Sequence, residues 1–162
     1  MAAIDVGPGA TNRATNVQGF SLVSQENPAN LSGVIDHIDL WLAGYSSGTV
    51  DFAAFVDNGS NSLTTNGTAA GLTPASGDND FDAPGDFTAF DIGAGEYLGV
   101  FIDANKQIEA DTSGGGNVWY KALDQIPCTG VTFAVLTSWA ISIYGTGVEA
   151  SAGYTPRLMM VT

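Results

Sequence analysis

Apolar and polar residues alternate in short runs along the chain, and clusters of Gly, Asn, Asp, Ser and Pro separate the runs. This pattern is typical of short β-strands joined by turns, whereas an amphipathic helix repeats apolar residues every three to four positions. The predicted strands span residues 19–24, 34–42, 49–56, 87–92, 97–103, 107–110, 117–121, 131–136, 138–144 and 158–161. We therefore expect an all-β fold, a two-layer antiparallel β-sandwich that is jelly-roll-like and has about 8 to 10 short strands.

The longest predicted strand, 34–42, divides its side chains between two faces. One face carries Val34, Ile38, Leu40 and Leu42, and the other carries Ile35, His37, Asp39 and Trp41. The run 97–103 is apolar on both faces, which predicts a central strand. Stretches rich in Gly, Ser, Thr and Asn predict loops at 46–48, 58–71, 74–85 and 112–116, with one weak hairpin around 63–72.

The chain of 162 residues shows neither a tandem repeat nor a linker, so a single β-sandwich domain over 1–162 is expected. Its last part, 148–162, contains the apolar segment Arg157-Leu-Met-Met-Val161. We expect this part to form either a final strand or an arm that contacts a neighbouring molecule.

The charge is one-sided, with 17 acidic residues against 4 basic residues and a net charge of −13. Nucleic acids and anionic membranes both require clustered Lys and Arg, so neither is an expected partner. Hydrophobic residues make up 44% of the chain and charged residues only 13%, which excludes a disordered protein. The N-terminus lacks a basic region followed by an apolar run, so no signal peptide is predicted.

Catalytic signatures are weak. His37 is the only histidine, and no G-x-S-x-G motif is present. Cys128 is the only cysteine, which excludes an intramolecular disulfide and favours a buried, unreactive thiol. Pairs of carboxylates are plentiful by chance alone among so many acidic residues. We therefore expect a protein that is not an enzyme.

One acidic segment offers metal chemistry. Asp78, Asp80 and Asp82 stand at alternate positions in a predicted loop, and calcium takes six to eight oxygen ligands. The EF-hand pattern fails, because its sixth position is not Gly and its twelfth is not Glu. Two interpretations stay open, a solvated acidic loop and a calcium site; no other cofactor is indicated.

Two aromatic groupings could contact a glycan or a partner protein. Trp41 shares a strand face with His37 and Asp39, and Trp119 and Tyr120 lie next to Asn117. Glycans stack their apolar faces on such rings, and their hydroxyl groups donate hydrogen bonds to carboxylates. The alternative for each ring is packing in the core or against another subunit.

Four phrases of the sequence carry a resemblance: residues 4–10, the Gly-rich 111–116 running into 118–121, then 125–129, and 141–147. Together they resemble a loose group of small all-β proteins encoded in bacteriophage genomes. The matching phrases are turns and strand ends, so the resemblance transfers no site residues.

This resemblance implies a virion structural protein, such as a capsid decoration (cement) protein, a head fibre or a tail appendage. It further implies assembly in the host cytoplasm, location in the virion and contacts with a major capsid or tail protein, with a homo-oligomer as the expected state. A glycan-binding module, free or as a receptor-binding head, is the alternative.

Overall fold

The computed structural model describes residues 1–151, and in that range every regular element is a β-strand. The strands are β1 (Ala3–Gly9), β2 (Thr15–Val17), β3 (Phe20–Ser24), β4 (Gly33–Tyr45), β5 (Val50–Asp57), β6 (Ser62–Leu72), β7 (Gly77–Asp82), β8 (Phe90–Ile92), β9 (Tyr97–Ile102), β10 (Lys106–Asp111), β11 (Asn117–Ala122), β12 (Val131–Thr132), β13 (Ala134–Thr137), β14 (Ala140–Ile141) and β15 (Ile143–Glu149). The predicted all-β class is confirmed. Residues 1–151 include no helix with the length and apolarity needed to cross a membrane.

The strands form two antiparallel sheets. The larger sheet has the order β1-β15-β4-β10-β14, with β2 paired to β10 and with β7 and β8 paired to β4. The smaller sheet has the order β12-β6-β5-β9-β3-β11-β13. The chain crosses between the sheets several times, which gives the predicted jelly-roll-like sandwich. Ten strands have five residues or more, and the remaining five, β2, β8, β12, β13 and β14, have two to four.

The main core lies between the sheets and follows from the alternation of apolar residues. Ile38 and Leu40 of β4 belong to the same core cluster as Phe52 of β5 and Leu98 and Val100 of β9, and all five are fully buried. The strand β9 lies between β5 and β3, which confirms the central position predicted for it. Burying side chains of this size stabilises the fold by about 1.5–3 kcal/mol each.

A β-bulge in β4 changes which residues face this core. Ile35 pairs with Gly147 and His37 pairs with Thr146, so two residues of β4 advance against one of β15. The bulge lets Ile35 and Ile38, three positions apart, both point inward, and Ile35 is fully buried. The prediction that Ile35 shares a face with His37, opposite Ile38, is therefore wrong: Ile35 is fully buried, whereas the His37 side chain is 28% exposed.

A second apolar cluster covers the outer side of the smaller sheet. Phe55 and Trp119 point away from the main core, and Ile126 and Phe133 from the segments after β11 and β12 pack against them. The rings of Phe55 and Phe133 meet edge to face with centroids 6.0 Å apart. The smaller sheet is thus covered on both sides, which strict alternation along each strand does not predict.

Two segments predicted as loops contain strands, and the weak hairpin predicted around 63–72 is a single strand. The stretch 58–71 contains most of β6, which pairs with β5, and the stretch 74–85 contains β7, which pairs with β4. In β7 the buried Asn79 and Phe81 alternate with exposed aspartates. Composition alone concealed this alternation, because a strand with a solvated face can be as polar as a loop.

The C-terminal predictions are only partly within the described range. The predicted strand 138–144 is divided into β14 and β15, and residues 148–149 end β15. The predicted strand 158–161 and the rest of the final strand or arm, 152–162, lie outside the described residues.

A buried lysine links two turns at one end of the sandwich. The side chain of Lys106 is fully buried, and its Nζ donates to the Ser47 carbonyl and to Asp103 Oδ2, both at 2.9 Å. Burial alone would raise the pKa of Asp103, but hydrogen bonds from Lys106 and from the Asn105 amide outweigh it and lower that pKa. The pair joins the turn after β4 to the turn after β9.

Candidate functional site

The pairing of β7 with β4 collects most of the candidate residues on one surface. Asp82 lies opposite His37, Asp80 opposite Asp39, and Asp78 opposite Trp41. Side chains alternate along each strand, so these positions all project outward from the larger sheet while Ile38 and Leu40 enter the core. We call this set the His37 face; its members are His37, Asp39, Trp41, Asp78, Asp80 and Asp82.

The imidazole of His37 lies between carboxylates on both of its sides. Nδ1 is 2.8 Å from Asp82 Oδ1 and 3.3 Å from Asp80 Oδ1. Nε2 is 3.1 Å from Asp39 Oδ1. An imidazolium can donate to both sides at once, so these contacts hold the ring in one orientation.

These contacts also set the charge of the group. The hydrogen bond with Asp82 raises the pKa of His37, and the charges of Asp39 and Asp80 add to this effect against the opposing effect of burial. Burial raises the pKa of Asp39, although His37 partly offsets it. The side chains of Asp80 and Asp82 are 65% and 71% exposed, against 28% for His37, so the ring forms the floor of an open site.

The other neighbour of β4 bounds the site with neutral polar groups. Thr146 of β15 lies opposite His37, and Tyr144 lies opposite Asp39. The Tyr144 hydroxyl donates to Asp5 Oδ2 of β1 at 3.2 Å. Burial, followed by the charge of Asp5, raises the pKa of Tyr144, so the phenol stays protonated as this donor.

The predicted calcium ligands do not form one site. Residues two apart on a strand lie about 7 Å from one another, so the backbone positions of Asp78 and Asp82 are separated by about 13 Å. Asp80 and Asp82 instead have donor atoms within 4.8 Å of a donor atom of His37. The expected loop of three carboxylates is therefore replaced by one imidazole and two carboxylates, and Asp78 stands apart, opposite Trp41.

The second aromatic grouping does not lie on this face. Trp119 is only 4% exposed, its Nε1 donates to Asn61 Oδ1 at 3.0 Å, and its ring meets Tyr97 edge to face. Tyr120 is half-buried and packs edge to face on Phe20. For both residues the structure favours the packing alternative over the glycan or partner contact, because their rings are used within the fold.

A charged group on the same sheet has no local signal in the sequence. Arg13 Nη1 donates to Asp111 Oδ2 at 2.8 Å, its Nε donates to Ser142, and its backbone N donates to Glu109. These residues are far apart in the chain, so no local motif indicates them. Their hydrogen bonds join the segment before β2 to β10 and to Ser142, which lies between β14 and β15, so their role is structural.

Cys128 is half-buried beside the second apolar cluster. Burial raises the pKa of its thiol, which disfavours the reactive thiolate. The expectation of an unreactive thiol agrees with this environment.

The side chains of the His37 face can bind a cation between an imidazole and carboxylates, accept hydrogen bonds and offer an indole for stacking.

Comparisons with protein-family models, with curated proteins and with solved structures find no match to this chain.

Proposed function

We propose that this protein is a non-enzymatic structural protein of a bacteriophage virion, of the capsid decoration or appendage type, that binds its partner through the His37 face. The observation that carries the proposal is the difference between the two outer sheet faces. The second apolar cluster occupies the outer face of the smaller sheet, whereas Trp41, His37 and the aspartates stay accessible on the larger one. A rigid sheet with one open face suits a protein that acts by contact.

The composition of the face indicates the kind of partner. Trp41 supplies a large, partly exposed aromatic surface, the residue type that dominates binding energy at interfaces. The aspartates around it complement a basic surface, so a major capsid or tail protein with Lys or Arg around an apolar socket fits. The net charge of −13 keeps the free protein soluble and discourages non-specific binding to packaged DNA.

The resemblance of the turn and strand-end phrases to virion-associated proteins supports the virion as the location, after assembly in the host cytoplasm. Mass spectrometry of purified virions from the phage that encodes the chain tests this directly. We expect the protein to be present in many copies per particle. Its absence from the particles would contradict the proposal.

The contact surface is tested by adding purified protein to particles that lack it. We expect Trp41→Ala to lower the occupancy at least tenfold, since truncation of an interface tryptophan costs about 2 kcal/mol or more. Leu123→Ala is the matched control, because it truncates a side chain that is 74% exposed on the side of the smaller sheet. Equal occupancy of both variants would refute the assignment of this face.

The expected homo-oligomer is tested by size-exclusion chromatography with light scattering. We expect a defined oligomer at high micromolar concentration. A monomer throughout the concentration range would contradict self-association and leave only contacts with other virion proteins.

Glycan binding is the second candidate, and the position of Trp41 favours it. The indole lies opposite Asp78 and two residues from Asp39 on the same face, which places hydrogen-bond acceptors next to a stacking surface. A glycan array probed with the wild type and with Trp41→Ala tests this candidate. Binding that the substitution abolishes supports it, and no binding to any sugar excludes it from the array's range.

A further inference from the structure

The donor atoms around His37 Nδ1 have the spacing of a metal site. Two ligands about 2.1 Å from a tetrahedral zinc ion lie about 3.4 Å apart, and about 3.0 Å apart in octahedral geometry. Nδ1 is 3.3 Å from Asp80 Oδ1 and 2.8 Å from Asp82 Oδ1. The donor atoms of Asp80 and Asp82 lie within 4.8 Å of each other, so rotation of these two exposed side chains would bring all three donors to one ion.

The remaining nitrogen of the ring is held in the way that metal-binding histidines require. Nε2 lies 3.1 Å from Asp39 Oδ1 and can donate its proton to it. A carboxylate in this position fixes the ring tautomer, leaves Nδ1 free to bind the ion and makes it a stronger ligand. Asp39 is thus a positioning residue that need not touch the ion.

From these contacts we infer that His37, Asp80 and Asp82 bind one divalent transition-metal ion, with zinc as the best match. The imidazole decides the class of ion, since calcium and magnesium take oxygen ligands, whereas zinc and its neighbours bind imidazole well. Where Nδ1 carries a proton donated to Asp82, that proton is released to solvent as the ion binds. The inference stands independently of the proposed virion role.

The position of the site gives such an ion a use. Three protein ligands leave at least one coordination position open, and both aspartates face solvent. A ligand atom from a partner molecule, or water, can occupy that position. The ion would also offset part of the repulsion among the four carboxylates of the His37 face.

The test uses the full chain without a histidine tag. Isothermal titration calorimetry with ZnCl₂ should give one equivalent bound, and CaCl₂ should bind at least tenfold more weakly. Because His37 is the only histidine, ¹⁵N NMR of the wild-type imidazole shows a single pair of ring nitrogens. Zinc should shift Nδ1 most and leave Nε2 protonated.

Variants identify the ligands. We expect His37→Ala and the double variant Asp80→Asn/Asp82→Asn each to weaken zinc binding at least tenfold, and Asp39→Asn to weaken it about tenfold. Asp78→Asn is the matched control, being an exposed carboxylate on the same strand and face, and should leave the affinity within twofold. Circular dichroism confirms that each variant is folded.

Three outcomes would overturn the inference: no zinc binding by the wild type, zinc binding that survives His37→Ala, or an imidazole spectrum that zinc does not change. None of these readouts depends on virions or glycans, so failure here and failure of the proposed function are distinguishable.

Discussion

The buried pair of Lys106 and Asp103 supports a quantitative prediction. Asp103→Asn keeps the size of the side chain but removes the charge that faces the Lys106 ammonium, which is fully buried. The ammonium then keeps only the Ser47 carbonyl and a neutral amide as acceptors. We expect this single substitution to lower the free energy of unfolding markedly.

The exposure of the two partners sets the magnitude. Breaking a fully buried pair costs about 3–5 kcal/mol, whereas a surface pair contributes about 0–1 kcal/mol. Lys106 is fully buried but the Asp103 side chain is 34% exposed, so solvent can screen one side of the pair. The expected loss is therefore about 2 kcal/mol, which for a chain of this size lowers Tm by about 4–8 °C.

Removing the lysine charge should cost less than removing the carboxylate. Lys106→Met keeps an unbranched apolar stem in the buried space, and Asp103 keeps the Asn105 amide and solvent. We expect a loss of about 1 kcal/mol. In the double variant the buried charge and its partner are both gone, so its loss should be smaller than the sum of the two single losses.

Urea denaturation of the four proteins, followed by tryptophan fluorescence and checked by calorimetry, measures this cycle. A loss below about 0.5 kcal/mol for Asp103→Asn would place the pair among ordinary surface pairs. Additive losses in the double variant would show that the two charges do not interact. Either result would refute the reasoning from burial.

Two substitutions test other parts of the fold, and a pH series tests the Lys106–Asp103 pair again. Gly147→Ala should cost about 2 kcal/mol or more in a denaturant titration, because its new Cβ would strike a carbonyl of β4. Gly85→Ala, whose Cβ would meet only the Asp82 carbonyl oxygen at an ordinary 3.7 Å and whose φ is ordinary, should be neutral. Trp119→Phe should lower the free energy of unfolding by about 1–2 kcal/mol, because the hydrogen bond to Asn61 is lost. An unchanged Tm would show that this hydrogen bond does not stabilise the fold. The folded-state pKa of Asp103 lies below its ordinary value of 3.8, so the stability that its charge contributes is complete above about pH 5 and is lost as the pH falls below about 4. The free energy of unfolding of Asp103→Asn should therefore fall less steeply than that of the wild type over that pH range. Parallel stability curves for the two proteins would refute this prediction.

The alternation along 34–42 is enough to predict that His37, Asp39 and Trp41 share one face, because apolar and polar residues alternate regularly in a strand with one buried face. It failed at Ile35, since the bulge depends on the register with β15 and leaves no local signal. The polar composition of the acidic strand β7 predicts a loop and masks the alternation of its side chains. The alternation of Asp78, Asn79, Asp80 and Phe81 is nevertheless a strand pattern, since exposed carboxylates alternate there with buried side chains.

The grouping of His37 with Asp80 and Asp82 could not be predicted from the sequence. It depends on which strand lies next to β4 and on a register that one residue of slippage would destroy. The same holds for the cover over Trp119, which comes from residues such as Phe133 after β12. The local alternation of residues indicates which face of a strand is buried. The partner of each strand and the segments that cover a sheet depend on the whole chain.

The covered side of the smaller sheet offers a site for covalent attachment of the protein to a surface. Leu123 is 74% exposed there, and its carbonyl accepts a hydrogen bond from Ser21, which lies on the sheet side away from the main core. Because the native thiol of Cys128 is half-buried and has a raised pKa, a cysteine introduced by Leu123→Cys would react first with a maleimide linker. Molecules tethered in this way would form a uniformly oriented layer on a sensor or a bead, with Trp41 and His37 directed toward the solution.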